Sequence, residues 1–78
     1  MTFRENLRRL RLQRFWSQAD LAREAGISKL TVHRLETGQT PPSLRSVRAL
    51  AKALQVDPLE LANPAEVAEQ KRAAAWSS

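Results

Sequence analysis

The stretch QADLAREAGISKLTVHRL, residues 18–35, decides the fold of this chain. It contains two short amphipathic segments separated by Gly26, with Ala22 four residues before the glycine and Val32 six residues after it. Two helices joined by a short turn cross at a steep angle, so one position on the first helix must be small, and Ala22 meets that need. The turn also needs a residue at positive φ, which Gly26 adopts without a Cβ clash. The spacing therefore predicts two crossed helices.

Both helices have a chemical start signal. Ser17 precedes the first helix and Ser28 the second, and a hydroxyl at the N-cap accepts a hydrogen bond from an unpaired first-turn amide. Helical spacing puts five apolar residues on inward faces: Leu21, Ala25, Ile27, Val32 and Leu35. The pattern is a helix-turn-helix, a motif whose second helix enters the major groove of DNA.

Helical periodicity and capping signals continue on both sides of residues 18–35. The helices expected in chain order are Phe3 to about Gln13, Gln18–Ala25, Lys29–Thr37, Leu44–Leu54 after a Ser43 cap, and Pro58 to about Ala62. The other apolar residues expected to face the core are Phe3, Leu7, Leu10, Leu44, Val47, Leu50, Ala51, Leu54, Val56, Leu59 and Leu61. No segment has a strand pattern, so the sequence predicts a compact all-α, five-helix domain over residues 1–62.

Residues 63–78 are predicted to form a helical tail. Asn63, Pro64 and Glu66 repeat a helix-start signal with a capping-box partner, which indicates an extra C-terminal helix. Two alternatives stay open for this tail: Val67, Ala74 and Trp76 pack against a partner copy, or the tail folds on its own domain.

Composition and charge narrow the class of protein. The chain has 78 residues, which leaves little room for a deep catalytic cavity. It has no cysteine, which excludes disulfides and thiolate metal sites and fits a cytoplasmic location. Residues 1–56 carry 11 Lys/Arg and 4 Asp/Glu, a net charge of +7, whereas residues 57–78 carry 2 and 4, a net charge of −2. The basic charge accompanies the motif and would attract a polyanion such as nucleic acid.

The start of the chain, MTFRENLRRLRLQRFW, has no apolar core of a secretory signal. Its Arg-rich amphipathic pattern is also found in transit peptides, but Glu5 and its fit as the first helix favour a structural role. No apolar run is long enough to span a bilayer, so we expect no membrane partner.

Residues 7–61 resemble the phage Cro/repressor type of helix-turn-helix domain, the XRE family of bacterial regulators. The matching pieces, in order, are LRRLR, SQADLA, GIS, LETG, PSL and LAKALQVDPLEL. The resemblance implies a lambda-repressor-like, five-helix fold whose third helix lies in the major groove. It also implies that Gln18 grips a phosphate and props the third helix, and that Arg11 and Glu36 form an ion pair joining the first helix to the end of the third.

The same resemblance implies which residues face DNA. Ser28, Lys29, Leu30 and Arg34 would face the base edges. Arg34 suits a guanine because its planar fork donates two parallel bonds, Lys29 acts as a point donor, and Leu30 contacts a thymine methyl. The alternative for Leu30 is a place in the core of the third helix. Contacts to phosphates are expected from Gln18, Ser17, Thr31, Thr37, Gln39, Thr40 and the amides around Gly38.

Four positions depart from the family pattern. Phe15 stands where the family commonly has glycine, which predicts a different backbone path between the first two helices. Trp16 replaces a usual leucine and is expected to be a packing residue. Gln39 and Thr40 stand where relatives often have Lys or Arg, so the loop would carry less charge, with Arg9, Arg14 and Arg45 as candidates to supply it.

The function predicted is a sequence-specific regulator of transcription, with repression as the expected mode, that binds double-stranded DNA as a homodimer on a palindromic operator. Pairing two domains on half-sites about 34 Å apart supplies affinity that one helix lacks. The alternative hypothesis is an antitoxin, or another adaptor on the same fold, that holds a toxin or other protein partner.

An enzyme finds no support in the sequence. There is one histidine, His33, with no second ligand at metal-binding spacing, and there is no glycine-rich phosphate loop or acid pair suited to a pocket. We therefore expect no catalytic residue, metal or cofactor, and a surface or phosphate-edge position for His33.

Overall fold

The computed structural model describes residues 2–67. In chain order it contains α1 (Phe3–Gln13), α2 (Gln18–Ala25), α3 (Lys29–Thr37), α4 (Leu44–Leu54), α5 (Pro58–Leu61) and a 3-10 turn, Pro64–Glu66. Residues 2–67 contain no strand. The predicted all-α fold with five helices is therefore confirmed, because local capping and periodicity already specify where each helix begins and ends.

Short side chains and left-handed residues delimit the helices. Ser17 Oγ accepts from the Asp20 amide at 3.0 Å and Ser28 Oγ from the Thr31 amide at 3.0 Å. Gly26 ends α2 at φ 72° and Gly38 ends α3 at φ 80°. These conformations cost a glycine nothing in Cβ contacts. Gly26 therefore acts in the turn as the sequence predicted, and Gly38 directly follows Thr37, the predicted last residue of α3.

The core lies where the five helices meet. α2 packs against α3 and α4, α1 packs against α3 and α5, and α5 also packs against α4. The largest fully buried side chains are Leu7, Leu21, Val32, Leu35, Leu50, Leu54 and Leu61. Ala22 is 4% exposed, as expected for the position where two helix axes approach. Ala25 and Ile27 pack partly buried against this core.

Two apolar residues predicted to face inward do not. Leu44 is 39% exposed and Leu59 is 69% exposed. Leu44 is the first residue of α4, and the buried residues of that helix begin at Val47. In the single turn of α5 only Leu61 reaches the core, so Leu59 extends the periodic pattern without being buried.

The connector between α1 and α2 corrects the prediction about Phe15. Phe15 has φ 56° and its side chain is 95% exposed. The residue therefore adopts the left-handed conformation that glycine favours, rather than a different path, because it closes the end of α1, where the Trp16 amide donates to the Arg11 carbonyl at 3.3 Å. Trp16 packs partly buried against the core, with the Arg14 guanidinium 5.2 Å from its ring.

The described part of the tail packs on the domain. The Glu66 carboxylate accepts from the Asn63 amide and, across the chain, from the Phe3 amide at the start of α1, each at 3.0 Å. Val67 has extended backbone, so the helix start at Asn63 yields one 3-10 turn, and its side chain is 3% exposed in the core. For Val67 this favours packing on its own domain. Ala74, Trp76 and the rest of the predicted tail helix lie outside the described residues.

We expect Phe15→Gly to raise the free energy of unfolding by about 0.5–1 kcal/mol. A left-handed non-glycine residue costs about 1–2 kcal/mol, part of which is offset by the larger unfolded-state entropy of glycine. The exposed ring contributes little packing. Urea denaturation measures the change, with Phe15→Ala as control because alanine keeps the strain. Equal stabilities for the two variants would contradict the strain.

We expect the capping of α2 to weaken at low pH. The Ser17 amide donates to the Asp20 carboxylate at 2.8 Å and lowers the pKa of Asp20 from its ordinary value of 3.8. Because this pKa is lower in the folded state, the carboxylate stabilises the fold above pH 3.8 and loses that effect as the pH falls through the lowered pKa.

A comparison of the chain with its Asp20→Asn variant tests this dependence. Their difference in unfolding free energy should be present at neutral pH and should diminish as the pH falls below 3.8. An acid-induced loss of stability that is the same in both proteins would show that Asp20 is not responsible for it.

Candidate nucleic-acid interface

α3 presents one side to the core and the other to solvent. Val32 and Leu35 are buried, while Lys29, Leu30 and Arg34 are exposed. The turn before α3 is held closed by the Ile27 amide, which donates to the Ala22 carbonyl at 3.0 Å. The helix-turn-helix thus gives α3 a free outer surface.

Leu30 lies on this outer surface. Its side chain is 53% exposed, so the alternative placement in the core is wrong for this residue. The two ion pairs of residues 2–67 involve neither Lys29 nor Arg34. The exposed side of α3 therefore combines one large apolar side chain with two cations that no carboxylate neutralises within the described residues.

Ser28 and Thr31 act as a pair at the start of α3. Ser28 Oγ accepts from the Thr31 amide, and the two hydroxyl oxygens lie 2.8 Å apart with either one as donor. One hydroxyl proton is used between them, which leaves the other free to donate outward. The pair can therefore donate only one hydroxyl proton to DNA, because the other lies between the two side chains that cap the helix.

The polar groups at the end of α3 are largely used by the helix itself. Thr37 Oγ1 donates to the His33 carbonyl at 3.0 Å. The amide of Gly38 donates to the Arg34 carbonyl, as do those of Gln39 at 2.9 Å and Thr40 at 3.3 Å. The amides around Gly38, which were expected to bind phosphate, are used on this carbonyl in the described structure, because a helix end needs its terminal carbonyls satisfied. The side chains of Gln39 and Thr40 remain exposed.

A buried ion pair anchors the same end of α3. Arg11 Nε lies 2.6 Å from Glu36 Oε2, and Arg11 Nη2 donates to Glu36 Oε1 at 2.9 Å. Arg11 Nη1 donates to the Trp16 carbonyl at 2.8 Å, and the hydrogen bond to Glu36 raises the pKa of Arg11 further above its ordinary value. The side chains of Arg11 and Glu36 are 11% and 5% exposed. α1, the connector and α3 therefore share one polar cluster.

Gln18 completes this cluster from the start of α2. Its Nε2 donates to Glu36 Oε1 at 3.2 Å, which links the first residue of α2 to the last turn of α3. The sequence resemblance implied that Gln18 props α3, and the contact supplies a physical means. The amide has a second Nε2 proton, and that proton is not used in this hydrogen bond.

The basic residues proposed to compensate for the uncharged loop are not equally available. Arg14 donates through Nη2 to the Leu54 carbonyl at 2.8 Å and to Gln55 Oε1 at 3.3 Å, so it holds the end of α4. Arg9 Nε is buried without a hydrogen-bond partner within residues 2–67. Arg45, in the first turn of α4, is exposed. Sequence could not reveal the partner of Arg14, which lies 40 residues away.

Residues 2–67 show neither a metal site nor a membrane-spanning helix. Those residues contain no group of three or more His, Cys, Asp or Glu side chains placed to hold a metal ion. His33 is exposed on α3. None of the helices within the same range is both long and apolar enough to cross a membrane.

The family described as "Helix-turn-helix domain" matches residues 2–63. The fold is also similar to that of the restriction-modification controller protein C.AhdI from Aeromonas hydrophila, with a TM-score of 0.73 and 39% identity over 76% of this chain and 89% of that one. Among the curated proteins, none matched the chain.

Two further solved structures are similar. The P22 c2 repressor, in complex with a synthetic operator, has a TM-score of 0.74 and 30% identity over 81% of this chain and 96% of that one. The hypothetical transcription factor NHTF from Neisseria has a TM-score of 0.73 and 28% identity over 92% of this chain and 78% of that one. The match therefore extends over most of each of these solved chains.

We expect Glu36→Ala to lower the free energy of unfolding by about 3–5 kcal/mol, because it leaves the buried Arg11 charge without a partner. Replacing both residues, in Arg11→Met with Glu36→Leu, should recover much of that loss. Arg23→Ala is the control, since it breaks an exposed pair with Asp20 that is worth at most about 1 kcal/mol. If denaturation gave similar small losses for Glu36→Ala and Arg23→Ala, the buried pair would not organise the fold.

Proposed function

The chain belongs to the helix-turn-helix domain family, and we propose that it is a transcriptional regulator that reads the major groove of double-stranded DNA with α3. The observation that carries this proposal is the exposed side of α3. It combines Lys29, Leu30 and Arg34 without a neutralising carboxylate within residues 2–67. The similarity to a repressor solved on its operator supports the same conclusion.

The three side chains suit the base edges of the major groove. Arg34 can donate two parallel hydrogen bonds to O6 and N7 of a guanine, and Lys29 can donate to the same acceptors as a point charge. Leu30 lies one helical turn before Arg34 and offers apolar contact to a thymine methyl. Ser28 adds at most one hydroxyl donor, since its oxygen also caps α3.

Contacts to the phosphates would set the register of α3 in the groove. Gln18 uses one Nε2 proton on Glu36 and would give the other to a phosphate, so the same side chain would position both the helix and the backbone. Ser17, Thr31, Gln39 and Thr40 complete the proposed set, and Thr37 would join it only by redirecting the hydroxyl proton that it donates to the His33 carbonyl. The charge of residues 1–56 would draw the DNA to this surface.

We further propose that the protein acts as a homodimer, as a repressor on a palindromic operator, in the cytoplasm. A single α3 touches only a few base pairs, whereas two domains on half-sites about 34 Å apart combine their contacts. Two-fold symmetry in the protein would then be mirrored in the operator.

Selection of bound sequences from a random duplex pool at physiological salt tests this function directly. An enriched palindrome is the expected result, because two equivalent recognition helices read the same half-site twice. Binding without any enrichment, lost as salt rises, would reduce the interaction to non-specific attraction by charge.

We expect Arg34→Ala to weaken binding to the selected duplex by about 1–3 kcal/mol and to relax discrimination at one base pair. Thr40→Ala should weaken binding to all sequences alike, because its contact is to the backbone. Fluorescence anisotropy on the selected and a random duplex measures both effects, with urea denaturation to verify folding. Equal losses on both duplexes for Arg34→Ala would remove Arg34 from base reading.

A further inference from the structure

The loop that follows α3 carries no charged residue. It reads GQTPPS, residues 38–43, and its first three amides already donate to the Arg34 carbonyl. The proposed function places this loop beside the DNA backbone. A cation that binds a phosphate there must therefore come from another part of the fold.

Arg4, in the first turn of α1, reaches this loop. Its Nη1 lies 3.5 Å from the Thr37 carbonyl oxygen at the end of α3. A Cβ built on Gly38 would stand 2.7 Å from the same nitrogen and 3.4 Å from Arg4 Cδ. The missing side chain of Gly38 thus leaves the space in which the Arg4 side chain lies. Gly38, which ends α3, therefore also allows a cationic side chain to lie against the C-terminal end of that helix.

The guanidinium of Arg4 is held there but not neutralised. Arg4 belongs to neither of the two ion pairs in residues 2–67, and it is exposed. The terminal carbonyls of α3 carry partial negative charge, which favours a cation at this end. A guanidinium has five N–H donors, of which the contact with Thr37 uses one. The remaining donors are available to an outside acceptor.

Two other cations near α1 are less suited to this task. Arg14 donates to the end of α4, and Arg9 has its Nε buried. Neither hydrogen bond of Arg14 involves the loop after α3. Of these three arginines, Arg4 is the one with a contact to the end of α3.

We infer that Arg4, with the exposed side chains of Gln39 and Thr40, forms a phosphate-binding site at the end of α3. The inference rests on the proposed function, since the ligand is a backbone phosphate of the DNA that α3 reads. Arginine binds phosphate through two parallel N–H groups, a geometry that lysine lacks. Arg4 would therefore supply the charge that the loop itself does not carry.

The test compares Arg4→Gln with Arg8→Gln in the full chain. Both remove one exposed positive charge from α1, so they share the change in net charge. Arg4→Gln should weaken binding about tenfold on the selected and the random duplex alike, equivalent to about 1.4 kcal/mol. It should also lower the slope of log affinity against log salt by about 1. Arg8→Gln should change the slope much less.

Arg4→Lys separates charge from geometry. It should keep the salt slope of the unmodified chain while losing part of the affinity, because an ammonium cannot bind a phosphate through a planar fork. Thermal unfolding of every variant identifies a purely structural role. A lower melting temperature for Arg4→Gln, with a salt slope equal to that of Arg8→Gln, would overturn the site.

The outcomes distinguish this inference from the function on which it rests. If the unmodified chain binds the selected duplex and Arg4→Gln binds as Arg8→Gln does, only the phosphate site is wrong. If the unmodified chain binds no duplex at all, the proposed function fails and the phosphate site fails with it.

Discussion

The rest of the structure depends on the buried pair formed by Arg11 and Glu36. A carboxylate that is 5% exposed is stable only with a partner, and Arg11 supplies two of its guanidinium nitrogens. The remaining contacts of the pair, to the Trp16 carbonyl and from Gln18, bring four segments to one point. Because removing charges from water is costly, such a pair contributes more to the orientation of α3 than to net stability.

With α3 anchored by this pair, the outer side of the helix presents its side chains to solvent. Many polar groups near α3 serve the fold: one hydroxyl proton is shared by Ser28 and Thr31, and the amides of residues 38–40 satisfy a terminal carbonyl. A helix end has few ways to satisfy its terminal carbonyls, so these amides are already used within the fold. Affinity for a polyanion would then come mainly from flexible cationic side chains, whose contribution decreases as salt rises.

Four left-handed residues in residues 2–67 show how reversals of the chain are supported. Gly26 and Gly38 need no support because they lack a Cβ. Gln55, at φ 58°, has its side-chain oxygen bound by Arg14, which also holds the adjacent Leu54 carbonyl. Phe15, at φ 56°, has an almost fully exposed ring instead. Strain is therefore least compensated in the connector that leads to the polar cluster.

Sequence alone determined the five helices, most of the central core and the expected outer position of Lys29 and Arg34, whereas the structure decided between the outer surface and the core for Leu30. Capping and helical periodicity act over a few residues, so they can be read without knowing the fold. The tertiary structure decided the exposure of Leu59 and the partners of Arg4 and Arg14, which lie 33 and 40 residues away. These depend on which helix ends meet, and that is a property of packing between segments distant in sequence.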